Sequence, residues 1–186
     1  MREVKRTREV HGEAVLKGLA AGLIGGLVAS WTMNEFQVLW GKLAEGVEEM
    51  QDGGKKGKKK KSKEGGEEGD DATVKTAEAI SENVFDHKLT KSEKKIAGPA
   101  VHYAMGATSG AVYGAVAEVL PSSTAGMGLP FGTAVWLLAD EAALPALGLS
   151  KAPTAYPLST HAYALASHFV YGLTTELVRR AVRRAI

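Results

Sequence analysis

Between residues 97 and 178 the chain holds a single lysine or arginine, Lys151. Three apolar segments fill that interval, 98–120, 127–148 and 158–178, and a fourth, 18–41, precedes it. Each has at least about 20 residues, enough to cross ~30 Å of hydrocarbon at ~1.5 Å per residue. None shows the polar face of a helix that lies against water. The linkers "PSSTAGMG" and "LSKAPTAYP" are short and rich in turn residues. The pattern predicts an all-α fold, a membrane-embedded bundle of four transmembrane helices. Trp40, Tyr103 and Tyr156 near segment ends agree with an interfacial aromatic belt. A soluble helical bundle is the competing reading, because every segment carries ionisable groups.

The net charge of +2 over 186 residues hides a segregation, since thirteen lysines lie between Lys42 and Lys95. Residues 1–17 form a basic N-terminal segment. Residues 42–97 form a hydrophilic loop between helices 1 and 2. Its tract "DGGKKGKKKKSKEGGEEGDD" has nothing to bury and is expected to be disordered. After it, Val74, Ala77, Ile80, Val84 and Phe85 recur at helical spacing, which predicts a short helix near 73–90. The Lys-rich tract reads as a solvated insert; on the cytoplasmic side it would suit anionic lipid. No stacking aromatics accompany the lysines, so nucleic acid is not an expected partner. The chain has no cysteine, hence no disulfide framework and no thiolate metal site.

The basic start and the long first apolar run fit an uncleaved span better than a signal peptide. Four spans put both termini on one side. Five basic residues before Gly18 and four after Val178 place that side in the cytoplasm. The lysine-rich loop then faces out, against the same rule.

Small residues recur every four positions on two segments. The first carries Gly18, Gly22, Gly26 and Ser30; the second carries Gly106, Gly110 and Gly114. Each glycine would cost a water-soluble helix about 1 kcal/mol relative to alanine. In lipid, small residues let backbones approach, so both rows are expected to be helix-packing surfaces.

Ionisable residues inside spans are functional candidates by default. Alternating helix directions puts Glu35, His102, Asp140, Glu141 and His161 toward the lysine-loop side, with His168 near mid-depth. Glu118, Glu176, Arg179 and Arg180 gather at the opposite end. His102 and Glu118 close the second glycine row, but 16 residues separate them by ~24 Å and about 160° around the helix. They are therefore expected in different clusters, of which the His102 end is the richer in candidates for function.

Three readings of that polar cluster stand open. Histidines and carboxylates could pair to fix helix register. His102, Asp140, Glu141 and His168 could exchange protons or ions, since histidine titrates near neutral pH. Imidazole and carboxylate also suit zinc, iron or manganese, although no compact ligand motif such as His-x-x-x-His occurs. His11 and His87 lie outside the spans and read as solvated. There is no Ser-His-Asp order, phosphate loop or nucleotide fingerprint. The chain is not evidently an enzyme, and no cofactor is expected. The lipid bilayer and either a second copy or another membrane protein are the expected partners.

The runs "AVHYAMGATSGAVYGAVAEVLP", "LPALGL" and "ASHFVYGLTTELVRR" resemble the YagU-like family of bacterial inner-membrane proteins. The matching positions are His102, Glu118, Pro121, His168, Glu176, Arg179 and Arg180. The resemblance covers about residues 97–186, and loosely 18–40. It implies a small multi-pass inner-membrane protein and no defined reaction. Asp140 stands where that pattern has a histidine or a neutral residue, and the lysine-rich insert is foreign to it.

Overall fold

The computed structural model describes the backbone of residues 2–51 and 72–186, and the side chains of residues 12–46 and 72–186. The tract expected to be disordered, residues 52–71, lies outside the described residues. The described residues form helices α1 (Arg2–Gln51), α2 (Ala72–Phe85), α3 (Lys91–Val119), α4 (Leu129–Trp136), α5 (Leu144–Ala146) and α6 (Leu158–Ala185). A π-helical stretch, Leu137–Ala143, joins α4 to α5. Single 3-10 turns at Pro121–Thr124 and Pro153–Ala155 complete the connections. The chain is all-helical, with no strand among the described residues.

Helix extends further into the hydrophilic region than the segmentation predicts. α1 continues through Gln51, because Lys, Leu, Ala and Glu propagate a helix whether or not they are buried. α3 starts at Lys91, not near 98, because Thr90 caps it. The Thr90 side chain accepts from the Glu93 N–H at 3.3 Å, and Glu93 accepts from the Thr90 N–H at 2.7 Å. These bonds hold the Glu93 carboxyl below its ordinary range. α2 packs on this early part of α3, with Val74 against Gly98 and Glu78 paired to Lys94 at 2.5 Å.

Among the described residues, one helix is long and apolar enough to cross a membrane, α1 over Gly12–Gly46. The other three segments fall short for different reasons. The third is split by the π-helical stretch. α3 and α6 are diluted by Gly, Ser, Thr, Tyr and His. Those diluting residues are largely the ones turned inward.

The interior holds Ala21, Ala29, Ala111 and Ala117 together with Ser30, Ser167, Thr175 and Glu176. Leu23, Leu27, Trp31, Val112, Leu138 and Leu173 point outward and are exposed. One small aromatic core, Ala29, Met33 and Tyr171 with Phe131 and Val135, ties α1, α4 and α6 together.

Candidate functional site

Backbone contact positions every candidate side chain. α1 and α3 run antiparallel, with Gly18, Gly22, Gly26 and Ser30 set against Gly114, Gly110, Gly106 and His102. A Cβ placed on Gly18 would sit 2.5 Å from the Gly114 carbonyl oxygen, and one on Gly110 would sit 2.8 Å from the Gly26 Cα. There is no room for even a methyl group between these backbones.

A second seam joins α4 to α6. A Cβ on Gly128 would strike the Gly172 carbonyl, one on Gly132 would strike the His168 carbonyl, and one on Gly172 would lie 3.0 Å from the Gly132 Cα. Gly128 also begins α4 at φ 84, where L side chains are strained. A third approach sets Gly25 of α1 on α6, where an added Cβ would lie 2.7 Å from the Thr175 oxygen. The repeat His168, Gly172, Glu176 is visible in the sequence. Its partner row, Gly128 and Gly132, has the same spacing and was not singled out.

His102 and Glu118 both lie on the α1–α3 seam, one at each end. His102 Nε2 is 3.5 Å from the Ser30 carbonyl oxygen, and Glu118 closes over Gly18. The row does wind around α3, but α1 winds with it, as expected when four-residue ridges of two helices interlock. The two groups are in separate polar layers and do not touch.

At the end holding the termini, Glu176 is fully buried and has three donors. The Tyr113 hydroxyl donates at 2.9 Å, Arg179 donates through Nε at 2.7 Å and Nη2 at 3.0 Å, and Arg180 Nε adds a short bond. Arg183 makes a two-pronged contact with Glu118 at 2.8 and 3.2 Å. Arg179 reaches the same carboxylate at 3.9 Å. These carboxylates hold the Arg179 and Arg183 guanidinium groups above their ordinary values. Tyr113 stacks on Phe131 at 4.2 Å between ring centres, with the Arg179 guanidinium over the Tyr113 ring at 5.9 Å from its centre.

This layer carries more hydrogen bonds and ion pairs than the His102 end. Sequence reasoning missed Tyr113 and Arg183. Tyr113 reads as one more apolar residue on α3. Arg183 reads as part of a basic tail, though it lies one turn after Arg179 and Arg180.

At the other end the predicted residues split. His161 Nδ1 is 2.7 Å from Glu141 Oε1, and its Nε2 is 3.0 Å from the Pro153 carbonyl oxygen. His168 Nδ1 donates to the Ala164 carbonyl at 2.9 Å and lies 3.8 Å from Asp140 Oδ2. Asp140 lies within the electrostatic reach of His168, Glu141 and His102. The π-helical stretch presents Asp140 and Glu141, adjacent in sequence, to two different histidines.

Glu35 does not join them. It is exposed, and five residues past Ser30 it is turned about 140° from the buried seam. The metal reading is not favoured. Among the described residues no group of three or more His, Asp or Glu converges to hold an ion. The histidines here are spent pairwise on single carboxylates and backbone carbonyls. His87, outside the segments, pairs with Glu93 at 3.2 Å on the exposed surface.

No curated protein and no solved structure matches the chain. A family profile described as "Protein of unknown function (DUF1440)" matches residues 75–177. The matched span takes in most of α2, all of α3 and α4 and most of α6, with the α4–α6 seam and the histidine layer. It covers more than half of the chain, and the chain therefore belongs to the DUF1440 family of proteins of unknown function.

Proposed function

We propose that this is a multi-pass bacterial inner-membrane protein of the YagU-like type, non-enzymatic, working through helix packing within the bilayer. Segments 18–41, 98–120, 127–148 and 158–178 are its four spans, with both termini in the cytoplasm. Its partners are the lipid bilayer and a second copy or another membrane protein.

The observation that carries this reading is the inverted distribution of side chains. Leucines, valines and Trp31 cover the outside, while serine, threonine, glutamate and glycine fill the inside. Water would penalise that arrangement by about 25 cal/mol per Å2 of apolar surface left exposed. Lipid removes the penalty and leaves close packing and internal hydrogen bonds as the cohesive forces. The glycine seams supply the packing, and the Glu176 network supplies buried, fully partnered polar contacts.

Single-cysteine labelling tests the four spans. The chain has no cysteine of its own, so each introduced thiol is unique. Lys88→Cys and Lys151→Cys should label with an impermeant reagent from one face of the membrane, and Ser123→Cys and Arg184→Cys from the other. Lys88 and Lys151 labelling from opposite faces would overturn the four-span arrangement.

A second reading, proton or ion exchange across the bundle, draws on the His161–Glu141 and His168–Asp140 pairs. It predicts a pH-driven flux in liposomes that His168→Ala abolishes. Equal flux from the two proteins would remove its basis.

A further inference from the structure

We propose that His161 and Glu141 form a proton-binding site that fastens the connection between α5 and α6 to the bundle, and that loss of its one proton releases that connection. The inference goes beyond the packing role above. It holds whether or not the chain crosses a membrane four times.

The argument starts from the valence of the imidazole ring. His161 places both ring nitrogens against acceptors, Nδ1 at 2.7 Å from a Glu141 oxygen and Nε2 at 3.0 Å from the Pro153 carbonyl. A neutral imidazole has one N–H and can satisfy one of them. An ionised carboxylate and a backbone carbonyl cannot donate. Both contacts close together only when the pair holds one proton beyond neutral His161 and ionised Glu141. That proton sits on the ring as an imidazolium, or on Glu141 as a carboxylic acid donating to Nδ1. In either state Nε2–H donates to Pro153, so the pair titrates as one unit. When the proton leaves for solvent, one ring nitrogen must set its lone pair against an oxygen, and one contact opens.

The neighbouring contacts decide which contact matters. Residues 151–157 are exposed apart from Pro153, whose carbonyl is the one that His161 holds. The bonds at the start of the connection, from the Leu149 and Ser150 N–H groups to the Leu144 carbonyl, do not reach Pro153. The Tyr156 hydroxyl accepts from the Lys151 N–H at 3.2 Å, which holds the connection to itself. The His161 contact is thus a fastening of the connection to α6.

Charged and aromatic groups from several elements surround the pair. From the π-helical stretch, Asp140 stands beside Glu141. His168 on α6 and His102 on α3 lie within reach of Asp140. Trp136 and Tyr156 set ring edges toward His161, each at 6.4 Å between centres. Lys151 and the Tyr156 hydroxyl belong to the connection itself. Glu35 on α1 is exposed and outside the group. The His161 and Glu141 side chains keep 22% and 19% of their exposure.

The test uses the full chain in lipid nanodiscs with a nitroxide on Ala152→Cys. Spectra are taken from mildly acidic to alkaline pH, alongside 15N spectra of the histidine rings. The label should be restrained while the pair holds its proton and become mobile as pH rises through its loss. The His161 ring should show both nitrogens as hydrogen-bond donors, or one as an acceptor from a carboxylic acid, over the same range. Glu141→Gln should abolish the transition, because the amide N–H can donate to Nδ1 while Nε2–H still donates to Pro153. His161→Ala should give a mobile label at every pH. Label mobility that does not change with pH would overturn the proposal. So would a Glu141→Gln protein with the transition of the natural pair. If Glu141→Gln fails to fold, the 15N spectrum of the natural chain decides. A His161 ring that loses no proton where the label is released would overturn the proposal.

Discussion

The two polar layers use the same kinds of residue and come out differently. At the end holding the termini, Glu176 has no exposure and meets three donors, two of them cationic. At the other end, His161, His168, Asp140 and Glu141 meet one another in separate pairs, one close and one at 3.8 Å. The first layer is closed, with two carboxylates set among three guanidinium groups and each carboxylate given several donors. The second holds histidines and carboxylates with fewer partners each. A buried ion cluster of the first kind fixes structure. A layer of the second kind can change state.

The largest effect that would break this contrast is expected from Glu176→Ala. Removing the carboxylate leaves Arg179 buried without its main partner, at a cost of about 3–5 kcal/mol. Thermal unfolding in detergent should show it as a clear loss of stability. His168→Ala, at the looser layer, should cost about 1 kcal/mol or less, near the net value of one ordinary hydrogen bond. Equal losses would erase the distinction between the layers.

Gly110→Leu comes next, because its first side-chain carbon would meet the backbone of Gly26, which cannot move aside. Overpacking of this kind costs about 1–3 kcal/mol or more. Assembly and folding, followed by gel filtration in detergent, should both suffer. His102→Ala on the same seam should be mild, since its contact with Ser30 is long at 3.5 Å. A benign Gly110→Leu would mean that the seam does not hold the helices.

Tyr113→Phe sharpens the picture of the closed layer. It removes one hydrogen bond to Glu176 and keeps the ring stacked on Phe131. A hydrogen bond to a charged group contributes about 1.5–3 kcal/mol, and the arginine contacts remain to offset part of the loss. The same unfolding assay should place it between Glu176→Ala and His168→Ala.

The helical class was legible in the sequence because apolar runs of about 20 residues are too long for ordinary strands. The α1–α3 seam was legible too, since both rows repeat with the same spacing of four. Gly128 and Gly132 carry the same signal, but two residues make a short row and one of them sits in a turn. The Glu176 network joins residues 63 and 65 positions apart, and no spacing rule links Tyr113 or Arg183 to their carboxylates. The π-helical stretch left no mark, because hydrophobic periodicity does not report a widened turn. Asp140 and Glu141 were placed at the right end from chain direction alone, whereas their choice of different histidines depends on that widened turn. Glu35 was misplaced by the same depth argument. Depth along an axis says nothing about direction around it.

The central claim is that the outer apolar surface meets lipid while the polar residues face inward. Fluorescence quenching by acyl-brominated lipid measures it directly. Trp31, Trp40 and Trp136 would be changed to Phe, and one tryptophan placed at Val112, Leu138 or Leu173. All three sites are outward-facing, one on each of the three segments that hydropathy alone does not mark as spans. The account predicts strong quenching by brominated acyl chains and little by aqueous iodide at all three. Quenching by iodide with none from brominated lipid would contradict it.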